Sequence, residues 1–513
     1  MAPAVAPDGI AVLEIPGKPV FQEVTPEPCA IVIFGVTGDL AKRKLLPALY
    51  NLMADGALPE QFAVVGVSRG DFSTAELREH LRRSTMELGG RRFPDAATWE
   101  KFAANIEFCR GSTEDAATYA RLKEQLEAID RTKGTRQNRI FYLATPPEVF
   151  SGAVDHLRRA GLIYRARSAA DEPFSRVIIE KPFGRDYASA VALNQLLAES
   201  LDESQAFRID HYLGKETVQN ILVFRYANSI FEPIWNRKYI DYVEITAAET
   251  LGIEQRGSFY DKTGVVRDIV QNHLLQVLAL SAMEAPVSFR ADDVRSEKVQ
   301  VLRSLRRLTE GDLSRDVVFG QYDGYRREKG VAPDSRTPTA VAIKVRIDNW
   351  RWHGVPFYLR AGKRLASQLT EIAVHFQSVP RYLFTGVDGC QTVAPNVLRI
   401  RIQPHEGTSL CFVAKVPGDH MSLGSVQMNM SYAHAFGKKL SDAYERLLLD
   451  CMRGDATLFA RRDEVEEAWK FVTPILGAWE KGRQEPEIYA QGGQGPAKAE
   501  ALAKASGHVL THL

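Results

Sequence analysis

Residues 30–34 read AIVIF, a run without a polar position that ends at Gly35. Such a run has no wet face. It fits a strand covered on both sides, the situation of parallel strands layered between helices. The next stretch is helical in pattern: Ala41, Leu45, Ala48, Leu49 and Leu52 recur every three or four positions, and Gly56 stands where such a helix stops. Further apolar runs at 62–67 (FAVVGV), 139–145 (RIFYLAT) and 176–180 (RVIIE) alternate with amphipathic stretches. This rhythm predicts a Rossmann-like, doubly wound α/β domain over 28–208.

Past residue 210 the apolar positions alternate instead: Val341, Ile343, Val345, Ile347; Ile372, Val374, Phe376; Leu398, Ile400, Ile402; Leu410, Phe412, Ala414, Val416. Period two gives each strand one wet or interfacial face, so residues 209–485 should form an α+β domain with a large, mainly antiparallel sheet, helices on one side. Such a sheet often supplies a dimer surface. The proline-rich residues 1–27 read as a loose arm, and the low-complexity segment QGGQGPAKAEALAKASG places a mobile tail over 486–513. Two domains suit a chain of 513 residues.

Charge narrows the function classes. Lys and Arg number 65 against 64 Asp and Glu, a balance that argues against nucleic acid or an anionic membrane as partner. The cysteines Cys29, Cys109, Cys390, Cys411 and Cys451 form no CxxC pair, so neither a disulfide framework nor a zinc site is expected. Without a basic leader or an apolar run of about 18 residues, the chain is expected in the cytoplasm.

Between the first strand and helix lies Gly35-Val36-Thr37-Gly38-Asp39-Leu40-Ala41. It reads either as an ordinary βα turn or as one whose bare backbone admits a pyrophosphate at a helix N-terminus; its place between strand and helix favours the second. The next strand ends Gly66-Val67-Ser68-Arg69. An acidic residue there would hold the ribose hydroxyls of NAD. Arginine suits a 2′-phosphate, with Thr37 and Lys44 able to assist, which favours NADP. Asp55 precedes that strand and reads as a loop residue.

Three polar stretches carry candidate chemistry. Lys181, in IEKPFGRD, closes a buried strand where ligands of doubly wound sheets bind, or is a solvated loop lysine. In RIDHYLGKE, His211, Tyr212 and Lys215 make a dense donor set for a phosphate, or the polar first turn of a helix whose core face is Val218, Ile221 and Leu222. His273, in RDIVQNH, lies on or beside the stripe Val266, Val270, Leu274 and Val277, either a satisfied core histidine or, given a carboxylate and a cleft, a base for alcohol oxidation.

Taken together and in order, GVTGDLAKRKLLPALY, FYLATPP, EKPFGRD, RIDHYLGKE, RDIVQNH and FYLRAGKRL resemble the glucose-6-phosphate dehydrogenase family over nearly the whole chain. The resemblance implies that His273 is the general base and Asp210 its carboxylate partner. It implies that His211, Tyr212 and Lys215 hold the 6-phosphate, that Lys181, Glu249, Asp268 and Lys363 contact the sugar and order the site, and that Gln403 is a further substrate-side contact. It further implies NADP against Gly35, Thr37, Gly38, Asp39, Leu40, Lys44, Arg69, Ala144, Pro146 and Lys181. Glucose 6-phosphate is the implied substrate, a homodimer or homotetramer the implied assembly, and no metal is implied. The chain departs from the pattern at Ser367-Gln368-Leu369, where relatives commonly carry a basic residue.

Overall fold

The computed structural model describes residues 25–88, 95–166, 172–380, 393–437, 441–482 and 484–513. Most of the expected N-terminal arm (1–24) and Cys390 lie outside these. Fifteen strands are seen among the described residues: β1 (Cys29–Phe34), β2 (Phe62–Ser68), β3 (Ile106–Arg110), β4 (Arg139–Leu143), β5 (Ser175–Glu180), β6 (Ala206–Ile209), β7 (Ile240–Ala248), β8 (Val317–Tyr322), β9 (Ala340–Arg346), β10 (Pro356–Gly362), β11 (Leu369–Phe376), β12 (Val397–Gln403), β13 (Gly407–Lys415), β14 (Leu423–Ser431) and β15 (Glu487–Tyr489).

The first six form a parallel sheet in the order β3-β2-β1-β4-β5-β6. β1 and β4 sit at its middle, and every residue of each is buried. The reversal of strand order beside β1 opens a crevice at the carboxyl ends of the strands, where such folds take ligands. The helix after β1 passes early through a wide π-helical turn, Ala41–Leu45, and continues as Leu46–Ala54.

The remaining nine strands make one sheet, β14-β13-β12-β11-β7-β10-β9-β8-β15, antiparallel except for the pairs β7–β10 and β8–β15. Its period-two patterning turns Val243, Ile245 and Ala247 into the main core, while Tyr242, Ala342 and Tyr358 face the other way into a second cluster. The partner of that second face overturns one expectation. The segment 486–513 is not a mobile tail: it adds β15 to the sheet edge and a helix, Lys498–Lys504, whose Ala499, Leu502 and Ala503 join Leu510 on Tyr242 and Tyr358. Its low complexity is an alanine-rich helical pattern, and each leucine buried there contributes about 2 kcal/mol. Glu244 fixes the end by accepting from the Thr511 N–H at 2.9 Å, and Arg360 donates to the Thr511 carbonyl at 2.8 Å.

The helices Ala443–Arg453 and Arg462–Lys481 return to the parallel sheet, packing on Leu46–Ala54 and on Tyr187–Ser200. The two sheets therefore share one hydrophobic core. Among the described residues, no helix is long and apolar enough to cross a membrane, and Cys29, Cys109, Cys411 and Cys451 are free thiols.

Candidate active site

Six of the candidate residues of the first half stand at the first or second position after a parallel strand: Gly35 after β1, Arg69 after β2, Ala144 after β4, Lys181 after β5, Asp210 and His211 after β6. The second sheet repeats the arrangement. β7 and β10 run parallel with Ala248 opposite Gly362, so Glu249 and Lys363 leave the same edge, and the Glu249 N–H donates to the Gly362 carbonyl at 2.9 Å.

The first turn brings backbone close to backbone. Gly35 has φ +82°, and a Cβ there would come within 2.5 Å of the Ala144 carbonyl oxygen. Val36, Thr37 and Gly38 complete the bend before the helix opens at Asp39. Arg69, exposed beside this turn, has no carboxylate partner among the described residues. Lys44 points elsewhere. Its ammonium meets Asp442 at 2.8 Å on the wall of a different cavity, and Asp39 is taken by Arg43.

His273 and Asp210 meet in the centre at 1% and 2% exposure. His273 Nδ1 lies 2.5 Å from Asp210 Oδ1, which also accepts from the Tyr212 N–H at 3.0 Å. The other ring nitrogen, Nε2, is 2.9 Å from Lys181 Nζ. An ammonium can only donate and a carboxylate only accept, so Nδ1 carries the hydrogen and Nε2 presents its lone pair. The Tyr212 ring stacks on the imidazole, centroids 4.1 Å apart.

The stretch holding His273, Val266–Leu274, is π-helical before the chain resumes as an α-helix, Leu275–Ala282. An i→i+5 winding sets residues five apart nearly above one another. Asp268 and His273 thereby reach one ammonium: Lys181 donates to the Asp268 carbonyl at 3.0 Å, and the Asp268 carboxylate lies 3.6 Å from it. That carboxylate also approaches Lys363 at 3.7 Å, whose ammonium holds Glu249 at 2.6 Å. Lys181, Glu249, Asp268, Lys363, Asp210 and His273 thus form one connected polar network.

Charge is distributed by burial. Burial opposes ionisation of Asp210, but the adjacent His273, its hydrogen bond and the nearby His211 and Lys181 hold this carboxyl well below the usual range. Burial, reinforced by Lys181 and only partly offset by Asp210, lowers the His273 imidazole below its ordinary value. The ring is neutral near pH 7, the state a proton acceptor requires. His211 is pushed down further by burial, His273 and Lys181.

A cavity of about 420 Å³ opens beside this centre, lined by Lys44, His211, Lys215, Gln403, Glu406 and Asp442. Lys215 donates to Gln403 Oε1 and sits 4.3 Å above the Tyr212 ring. Burial pushes its ammonium down to about 8. Sequence reading missed Asp442, Glu406 and Tyr444 here, because the chain brings them from more than 190 positions beyond Lys215 with no local motif; the one cue is Asp442 ahead of an apolar helical stripe, and it does cap Ala443–Arg453.

A nucleotide crevice joined to a buried acid–base pair defines a nicotinamide-dependent dehydrogenase acting on a CH–OH group. Residues 32–220 match the family model "Glucose-6-phosphate dehydrogenase, NAD binding domain" and residues 222–510 its C-terminal domain. The chain belongs to the glucose-6-phosphate dehydrogenase family. It is 45% identical over 493 residues to a glucose-6-phosphate 1-dehydrogenase of Chlamydia pneumoniae, covering 94% of this chain and 95% of that one. It is 43% identical over 500 residues to one of Rhizobium meliloti, covering 95% and 98%. Among solved structures, the glucose-6-phosphate 1-dehydrogenase of Mycobacterium avium superposes with a TM-score of 0.82 at 38% identity, covering 95% and 99%. A glucose-6-phosphate dehydrogenase in complex with its substrate superposes with a TM-score of 0.85 at 35% identity and the same coverage.

Proposed function

We propose that this chain oxidises β-D-glucose 6-phosphate at C1 to 6-phosphoglucono-1,5-lactone with NADP⁺ as acceptor, the entry step of the oxidative pentose phosphate pathway. The observation that carries the reading is the Asp210–His273 pair, buried and in the tautomer of a base, beside a cavity with two lysines. His273 Nε2 takes the C1 hydroxyl proton as hydride leaves that carbon. Asp210 holds the Nδ1–H and stabilises the imidazolium that forms. Lys181, which donates to Nε2 here, is the group the sugar hydroxyl displaces; Asp268, Glu249 and Lys363 keep its surroundings polar and oriented. Lys215, His211 and Tyr212, with Gln403, face the phosphate. Lys44 lines the same cavity, so its charge serves the phosphate rather than the cofactor.

The bare turn at Gly35, with Thr37, Gly38, Asp39 and Leu40 at the helix opening and Ala144 and Pro146 opposite, fits a dinucleotide pyrophosphate. When bound, the nicotinamide supplies the hydride acceptor. The guanidinium of Arg69, without a carboxylate partner among the described residues, supports a 2′-phosphate, hence NADP over NAD. Partly exposed apolar side chains on β14, Val426 and Met428, support self-association as a homodimer or homotetramer through the second sheet. We place this metabolic activity in the cytoplasm.

Near-UV absorbance of the reduced cofactor tests the reading directly. Reduction of NADP⁺ is expected with glucose 6-phosphate at a kcat/KM far above that with glucose; no reduction, or equal values for the two sugars, refutes it. Arg69→Ala should weaken NADP roughly 10- to 100-fold, the range of a charge-assisted contact, and leave NAD unaffected. Equal losses for both cofactors refute the 2′-phosphate role.

A further inference from the structure

Tyr444 belongs to no motif of the sequence, yet it stands at the junction of the two halves of the site. It is the second residue of the helix Ala443–Arg453 and is almost wholly buried. Its ring lies parallel to the His211 imidazole, centroids 6.3 Å apart at 11°, on the wall of the phosphate cavity. Its hydroxyl donates to Glu180 Oε1 at 3.2 Å, and Tyr142, from the centre of the parallel sheet, donates to the same oxygen at 2.5 Å. Glu180 is the last residue of β5 and the immediate neighbour of Lys181. The Tyr444 N–H donates to Asp442 Oδ1 at 2.9 Å, while the other Asp442 oxygen holds Lys44.

The approach that places Tyr444 there is enforced by bare backbone. A Cβ on Gly214, three residues beyond His211, would meet the Ala443 carbonyl oxygen at 2.6 Å and the Leu447 side chain at 2.9 Å. The substrate-side loop and the start of this helix are therefore in direct contact, and Asn51, from the helix after the nucleotide turn, donates to Glu445 of the same first turn at 2.6 Å.

We propose that Tyr444 is a positioning residue that couples the phosphate cavity to the proton-transfer centre, its ring setting His211 and its hydroxyl setting Glu180 and, through it, the Lys181 ammonium at His273. The two roles reside in different atoms, so they separate in kinetics. The ring acts on substrate binding. The hydroxyl acts on the alignment of Lys181 and His273, where a displacement of an ångström costs up to about 10²-fold in rate.

The inference rests on the activity proposed above, and the wild-type chain is the control that keeps the two apart: without NADP⁺ reduction by the wild type with glucose 6-phosphate, the activity itself fails. With that activity present, Tyr444→Phe, which keeps the ring and removes the hydroxyl, should lower kcat roughly tenfold and leave KM for glucose 6-phosphate within about twofold and Tm unchanged. Tyr444→Leu, which removes both, should show the same loss of kcat and in addition raise KM for glucose 6-phosphate roughly tenfold, with KM for NADP⁺ unaltered. A Phe variant with wild-type kcat overturns the hydroxyl's role. A Leu variant with wild-type KM overturns the ring's. Parallel losses of kcat, both KM values and Tm in the two variants reduce Tyr444 to a packing residue and overturn the proposal.

Discussion

The two ends of the active site are built on opposite terms. At the end proposed for proton transfer, His273 and Asp210 are buried and joined to each other, with the His273 Nε2 lone pair presented outward. At the end proposed for the phosphate the cations are occupied by the chain itself: Lys44 by Asp442, at 47% and 37% side-chain exposure, and Lys215 by Gln403, with Glu406 on the same wall. The buried pair has no solvent to reorganise as charge moves, which is the condition for efficient acid–base chemistry. The cavity instead exchanges internal contacts for ligand contacts, so its response to substrate is a competition. Rate should therefore answer to the first end and affinity to the second.

The largest effect expected is at His273. His273→Asn removes the ring nitrogen placed to take the proton and should lower kcat by about 10²-fold or more, with KM for glucose 6-phosphate little changed. An active variant breaks the assignment. In the wild type, kcat/KM should fall as pH drops below the depressed titration of this imidazole, because protonation fills the Nε2 lone pair.

The phosphate end should titrate on the opposite side. Lys215 carries its charge below about 8 and loses it as pH rises through that value. The sugar phosphate, whose second proton leaves near pH 6, is then already a dianion. KM for glucose 6-phosphate should climb above pH 8, up to about tenfold per unit, while kcat at saturation holds. Lys215→Arg, with a group that stays protonated, should abolish the climb; a climb that persists in that variant places the titrating group elsewhere.

The same contrast separates what is legible in the sequence from what is not. β1, β2, β4 and β5, the alternating strands β9, β11, β12 and β13, and the turn at Gly35 are legible because each is written in fewer than about ten consecutive residues. The resemblance implied Asp210 as partner of His273, but nothing local joins positions 63 apart in sequence. Two features stay hidden for physical reasons. The π-helical winding that aligns Asp268 with His273 leaves no period distinguishable from an α-helix over so few residues. The C-terminal segment looks mobile by composition, whereas its order comes from Tyr242, Glu244, Tyr358 and Arg360 on strands far away in the chain. Lys44 is legible as a cation beside the nucleotide turn; its direction is set by Asp442, which only the fold supplies.

That ion pair offers the smallest and most discriminating test. Asp442 does two things: one oxygen holds Lys44, and the other caps the helix through the Tyr444 N–H. Asparagine caps a helix about as well as aspartate, so Asp442→Asn keeps the helix and removes only the competing charge. A partly exposed pair of this kind is worth about 0.2–1 kcal/mol, and freeing Lys44 for the phosphate should therefore lower KM for glucose 6-phosphate by about 1.4- to fivefold, with kcat and Tm unchanged. If the cavity were as preassembled as the His273 end, this carboxylate would be part of the binding machinery and its removal would raise KM instead. The direction of that single change decides whether the phosphate end binds by displacement or by preorganisation.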